Sequence, residues 1–291
     1  MEPTNTDAGP FKPMKPLWFS LLAVVVGVVA GLGAVVFRGM IALLHNLFFL
    51  GTLSFVYDAN THTPSSPWGP LIIVVPVLGG AVVAFLVKTF APEAKGHGVP
   101  EVMDAIYYHR GRIRPVVALV KSLASAFSIG SGGSVGREGP IIQIGSSFGS
   151  SVGQMLKVPV WQRIVLIAGG AGGGIAATFN TPVGGVLFVL EIIMHEVSAR
   201  TLVPVAISVA TATYVVRGFF GEHPSFVIPA LDTSYFHLTN PLVLVAYVGL
   251  GLLMGLVSTL FIKSIYGGED FFTKRIGGSY YRQHLLGMLV V

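Results

Sequence analysis

Residues 129–143 read IleGlySerGlyGlySerValGlyArgGluGlyProIleIleGln. Gly130, Gly132, Gly133, Gly136 and Gly139 crowd the stretch, Arg137 and Glu138 interrupt it, and Pro140 closes it. Glycine lets backbone N–H groups approach a ligand closely. Proline suits the first turn of a helix. A helix opening at Pro140 would aim its amides back toward Glu138, and a helix N-terminus attracts anions. The stretch therefore predicts an anion site with a carboxylate at its mouth, set between apolar segments.

Of the 291 residues, 53% are hydrophobic and only 11% charged, with a mean hydropathy of +0.75. Soluble proteins carry roughly 25% charged residues, so the depletion indicates a multi-pass membrane protein. The 37 glycines and 18 prolines then suit close-packed, broken or re-entrant helices rather than loops. The absence of cysteine excludes disulfides, thiolate metal sites and cysteine nucleophiles. The net charge of +5 reads as lysines and arginines of inner loops. No basic run with interleaved aromatics suggests nucleic acid. The N-terminus is polar and acidic, and the first apolar segment is too long for a signal peptide. It is expected to stay as a span.

In order, residues 1–16 form a cytoplasmic tail with Lys12 and Lys15 before the membrane. Leu17–Phe37 is the first span, continuing to about Phe49, with Gly27 and Gly31 as a small-xxx-small packing pair. Residues 51–67 lack Lys and Arg and should be external, whereas Lys88, Lys95, Arg110, Arg112 and Arg114 mark the inner side. Pro100–His109 predicts a short, half-buried helix. Lys121 lies embedded in 115–129, where a lone lysine is paired, faces water or snorkels to an interface. Residues 140–156 and the glycine-dense 161–177 predict packed helices. Pro182 restarts a helix with Thr181 as its N-cap, carrying Glu191 and ending near His195 and Glu196. Residues 201–220 form a further span and 221–240 a polar loop.

A shift of about 224 residues, an internal offset of the kind that marks repeats, places Gly27 on Gly251, Gly31 on Gly255 and Phe37 on Phe261. The offset predicts a two-repeat transporter architecture with a site at the repeat interface. Residues 17–240 would form the first repeat and 241–291 the truncated start of the second.

Three stretches carry a resemblance: GlyHisGlyValProGlu at 96–101, GlyArgGluGlyPro at 136–140, and PheAsnThrProValGlyGlyValLeuPheValLeuGlu at 179–191. In this order and spacing the chain resembles the CLC family of chloride channels and proton-coupled anion exchangers, from about Leu17 to Val291. The resemblance implies an all-α multi-pass membrane fold of two inverted repeats with tilted, broken helices. It also implies a homodimer with one pore per subunit, seated in the plasma (inner) membrane with a cytoplasmic N-terminus. The implied partners are chloride or a similar monovalent anion, protons and the lipid bilayer. Neither cofactor nor metal is implied, and the chain reads as a transporter rather than an enzyme.

By the same resemblance Glu138 is the gate. Charged, it occupies an anion position; protonated, it swings aside. The anion-binding positions are His97, Gly98, Val99, Pro100, Gly136, Arg137, Gly139, Pro140 and Ile141. Two departures from the family pattern bear on this. His97 stands where a serine is usual, which puts chloride itself in question, since an imidazole N–H donates differently and can gain charge. Ile192 stands where many exchangers carry a second glutamate, leaving Glu191 as the candidate on a proton pathway or merely a partner within the bundle. The family's GlyXaaPheXaaPro loop and pore tyrosine do not occur in this sequence, so a fragment is expected. A passive channel and an inactive fragment stay open beside the exchanger. The glycines at 130, 132 and 136 could also suggest a dinucleotide loop, but no strand precedes them, no GlyLysSer/Thr follows and no acidic residue stands at the required spacing.

Overall fold

The computed structural model describes residues 12–57, 64–194, 198–222, 242–276 and 278–290. Among these the regular structure is helical. The helices are α1 (Pro16–His45), α2 (Val74–Phe90), α3 (Val99–Tyr107), α4 (Pro115–Gly130), α5 (Glu138–Met155), α6 (Val160–Phe179), α7 (Pro182–Phe188), α8 (Ala199–Phe220), α9 (Leu242–Asp270) and α10 (Tyr280–Val290). Single π turns extend α1 to Leu50 and α7 to Ile193, and another runs from Phe271 to Ile276. Among the described residues, five segments are long and apolar enough to cross a membrane: Pro16–Leu50, Gly69–Phe90, Val160–Phe179, Ala199–Phe220 and Leu242–Arg275.

Proline opens α1, α3, α4 and α7 in their first turns, where its missing N–H costs no intrahelical bond. α6 forms the centre. Every residue from Val165 to Ala177 is buried, as expected of a helix with no polar face. α5, α1 and α8 surround it. In lipid, helices associate through close van der Waals packing rather than hydrophobic transfer, so small residues line their crossings. A Cβ on Gly145 would meet the Gly170 carbonyl, and one on Gly170 would meet the Gly145 carbonyl. That backbone contact holds α5 against α6. Gly27 and Gly31 serve the same purpose, meeting Ser208 and Ala212 of α8.

Those contacts fix directions. Gly27 lies by Ser208, Gly31 by Ala212, and Arg38 over the Phe220 ring at 4.1 Å. α1 and α8 therefore run parallel. α2 starts beside the end of α1, where Gly51 faces Trp68, and returns. α10 runs antiparallel to α2, with Tyr281 by Lys88 and Met288 by Gly80. α9 leads into α10 and so ends on the Lys88 side, where α1 begins. α9 is the segment that the internal offset aligns with α1.

The packing of the two does not repeat. Gly251 and Gly255 have nothing within 4 Å, and no residue of α9 is buried. Two local expectations also change. The helix expected from Pro140 starts at Glu138. Thr181 sits at the N-cap of α7 but its side chain makes no capping bond; its carbonyl accepts from Gly185 N–H at 2.9 Å instead. His195, Glu196, most of the 221–240 loop and the repeat boundary at 240/241 lie outside the described residues.

Candidate functional site

The first strand of the site is the turn before α3. Gly96 and Gly98 both take left-handed φ, +99° and +101°, which side chains other than glycine resist. The Glu101 carboxylate reaches back and accepts the Gly98 N–H at 2.6 Å. This charge-assisted bond satisfies one of the amides that a helix start leaves free. Lys121, on α4, lies behind the turn and is only 5% exposed. Its Nζ donates to the Ala94 carbonyl at 3.0 Å and the Gly96 carbonyl at 2.8 Å. The embedded lysine is thus hydrogen-bonded to backbone, which answers the cost of burying it.

The second strand is the start of α5. Because the helix opens at Glu138, that carboxylate belongs to the first turn, and its Oε2 folds back toward Gly136. The two turns meet directly. A Cβ on Gly139 would run into the His97 carbonyl, and one on Gly98 into the Gly139 backbone. Sequence positions 97–98 and 139, forty residues apart, are in backbone contact.

Beside this contact opens a cleft of about 480 Å³. His97, Gly136, Glu138, Gly139 and Pro140 line it, together with Lys121. Ser125, Ser128 and Ser134 add hydroxyl groups, and Tyr280 and His284 of α10 close one side. Lys95 lies over the Tyr280 ring at 4.1 Å, and Tyr280 stacks on His284 with centroids 5.5 Å apart. The cleft therefore holds two lysines, one carboxylate and several hydroxyl donors, an arrangement suited to a small anion. No ion pair joins Glu138 to Arg137 or Lys121 among the described residues.

Some sequence-based site residues lie elsewhere. Gly98 is buried behind the cleft, Val99 is half-buried, Pro100 is exposed, and Ile141 belongs to the core. Arg137 turns away. It lies 5.8 Å from the Phe179 ring and, with Arg38 and Phe220, borders a separate hollow. Glu191 is exposed on the π turn after α7 and does not border the cleft. Conversely, sequence reading passed over Ser125, Ser128, Ser134, Tyr280 and His284. The two α10 residues reach the cleft only through tertiary packing against α2.

Long apolar helices packed on small residues, with two helix starts meeting beside one cleft, define an integral membrane protein. The sequence profile described as "Voltage gated chloride channel" matches residues 79–291. The H(+)/Cl(-) exchange transporter ClcA of Cronobacter sakazakii is 33% identical over 285 residues, covering 94% of this chain and 56% of that protein. The ClcA of Yersinia pseudotuberculosis is 32% identical over 282 residues with the same coverages. Among solved structures, a slow cyanobacterial Cl-/H+ antiporter superposes with a TM-score of 0.75 at 23% identity, covering 96% of this chain and 63% of that one. A CLC-type fluoride/proton antiporter gives 0.74 at 20% identity, with coverages of 94% and 64%. The chain belongs to the voltage-gated chloride channel, or CLC, family. It spans about half the length of the curated relatives it matches.

Proposed function

We propose that this protein takes part in moving chloride or a similar monovalent anion across the membrane, by exchange for protons gated by Glu138. The observation that carries the reading is the backbone contact of Gly98 and Gly139 beside the cleft, with Glu138 at its wall. It brings two helix starts, each with unpaired amides, to one place, where an anion is favoured without a metal. Glu138 shares that wall, so its carboxylate can compete with a bound anion for the same donors. Lys121 adds a positive charge to the cleft lining and occupies the Ala94 and Gly96 carbonyls as hydrogen-bond acceptors. Relatives named H(+)/Cl(-) exchange transporters support the choice of anion and of proton coupling. On this reading the N-terminus is cytoplasmic and the protein pairs as a homodimer in the inner membrane. Residues 17–240 are the first repeat and 241–291 belong to the second. Glu191, exposed at the far end of α7, is the candidate proton acceptor.

The test is ion flux in proteoliposomes. The protein extended to its relatives' full length should release chloride and take up protons in a fixed ratio. Glu138→Gln should keep chloride flux and lose the proton movement. Protons still driven at the original ratio would remove Glu138 from the gate, and absence of chloride flux from the unmodified protein would overturn the transport reading.

A further inference from the structure

Away from the cleft, on the side where α1 begins, the chain carries a cationic corner that none of the transport reading uses. The loop between α3 and α4 is clamped onto α5. Ser150 Oγ donates to the Gly111 carbonyl at 2.7 Å and accepts the Ile113 N–H at 2.9 Å, while Gln154 Nε2 donates to the Ile113 carbonyl at 3.0 Å. This holds Arg112 in place, exposed. Under it lies Arg163 of α6, its stem packed on Gly153 and Gly111 and only 7% exposed. The Arg163 Nε is buried without a hydrogen-bond partner. Its stem packs on Gly111, the residue before Arg112, which makes Arg112 its like-charged neighbour. The nearby Arg114 is already paired with Glu93, so no carboxylate neutralises the Arg112–Arg163 pair among the described residues.

Two arginines held together, one of them buried with an idle donor, call for an anionic acceptor. A phosphate, like a carboxylate, meets the planar guanidinium fork with two parallel hydrogen bonds. The surroundings select its source. Exposed Met155, Leu156, Trp161 and Tyr108 flank the corner, giving an apolar and aromatic rim at the end of the membrane helices. Basic pockets between helices at such a boundary suit lipid head groups. We propose that Arg112 and Arg163 form a binding site for the phosphate of an anionic phospholipid, with its acyl chains along Leu156 and Trp161. The bound lipid ties the α3–α4 loop, α5 and α6 together at the membrane surface.

The experiment follows thermal unfolding of the detergent-solubilised protein while short-chain phosphatidylglycerol, phosphatidylcholine or inorganic phosphate is added. Phosphatidylglycerol should raise the midpoint by several degrees more than phosphatidylcholine, and inorganic phosphate should not. Arg112→Gln should remove at least half of that difference, Arg163→Gln all of it, and the distant Lys274→Gln none. Arg112 is exposed, so its variant should fold whether or not Arg163→Gln does. The proposal is overturned if the two lipids act equally, if Arg112→Gln keeps the whole difference, or if Lys274→Gln loses as much. An equal effect of inorganic phosphate would show a free-anion site in place of a lipid site. None of these readouts depends on ion flux, so failure here leaves the transport reading untouched.

Discussion

Gly98 and Gly139 lie so close that a Cβ on Gly98 would stand 2.6 Å from the Gly139 carbonyl carbon. Nothing larger than hydrogen fits between the two helix starts. Gly139→Ala must push the turns apart, because its methyl would enter the His97 carbonyl. Overpacking of this kind costs about 1–3 kcal/mol. Gly98→Ala adds strain from its φ of +101° and should cost more. Thermal unfolding in detergent checks both. Midpoints equal to that of the unmodified protein would mean that the two turns do not touch.

Lys121 holds the Ala94 and Gly96 carbonyls through one ammonium. Lys121→Met keeps the apolar stem and removes the donor. The buried Ala94 carbonyl would then lack its partner, at about 1–3 kcal/mol, and the exposed Gly96 carbonyl would lose its bond at a smaller cost. The unfolding midpoint should fall clearly, whereas exposed Lys95→Met should change it little. Equal effects of the two substitutions would show that Lys121 acts as a general charge and not as the clamp of this turn.

Asn180 ends α6 with a left-handed φ of +58°. Its Oδ1 accepts from Arg217 Nε at 2.7 Å and its Nδ2 donates to the Glu222 carbonyl at 2.6 Å. The residue thereby ties the end of α6 to the end of α8. Asn180→Gly keeps the backbone conformation and loses both bonds. Asn180→Ala loses the bonds and also strains the backbone, since alanine tolerates this region less well than asparagine. Chemical unfolding should rank the unmodified protein above the glycine variant and the glycine variant above alanine. A reversal of the last two would place the cost in chain entropy instead of the cap.

Composition made the membrane class legible, because apolar runs of that length have few other uses. Gly27 and Gly31 were legible as a packing face, and α8 proved to be what they pack against. The glycine turns and the prolines that open α3 and α7 could be read locally, since they act within a few residues of where they stand. The start of α5 could not be fixed to the residue. Glu138 can enter the helix ahead of Pro140 because proline needs no partner for its nitrogen in the first turn. Arg137 looked like part of the anion path from its place in the motif. A side chain's direction depends on the helix it leaves, and here it leaves toward Phe179. Tyr280 and His284 carry no local signal. They border the cleft because α10 returns along α2, through Met288 on Gly80, and that contact spans some two hundred residues of chain.

His97 borders the cleft and is exposed to it, one residue before the buried Gly98. Its imidazole is the bulkiest side chain on the turn that meets α5. If it faces a passing anion, it contributes a directional N–H donor and narrows the path. Its replacement by serine would supply a hydroxyl donor in place of the imidazole N–H and open space. Selectivity depends on the difference between affinities for competing anions, so the relative fluxes of chloride, bromide and nitrate should shift in His97→Ser, by severalfold in at least one ratio. Stability should change little, since the backbone of the turn is held by Glu101 and Lys121 and not by the imidazole. Unchanged flux ratios with an unchanged midpoint would assign His97 to the vestibule and leave recognition to the backbone of 98–99 and 136–140.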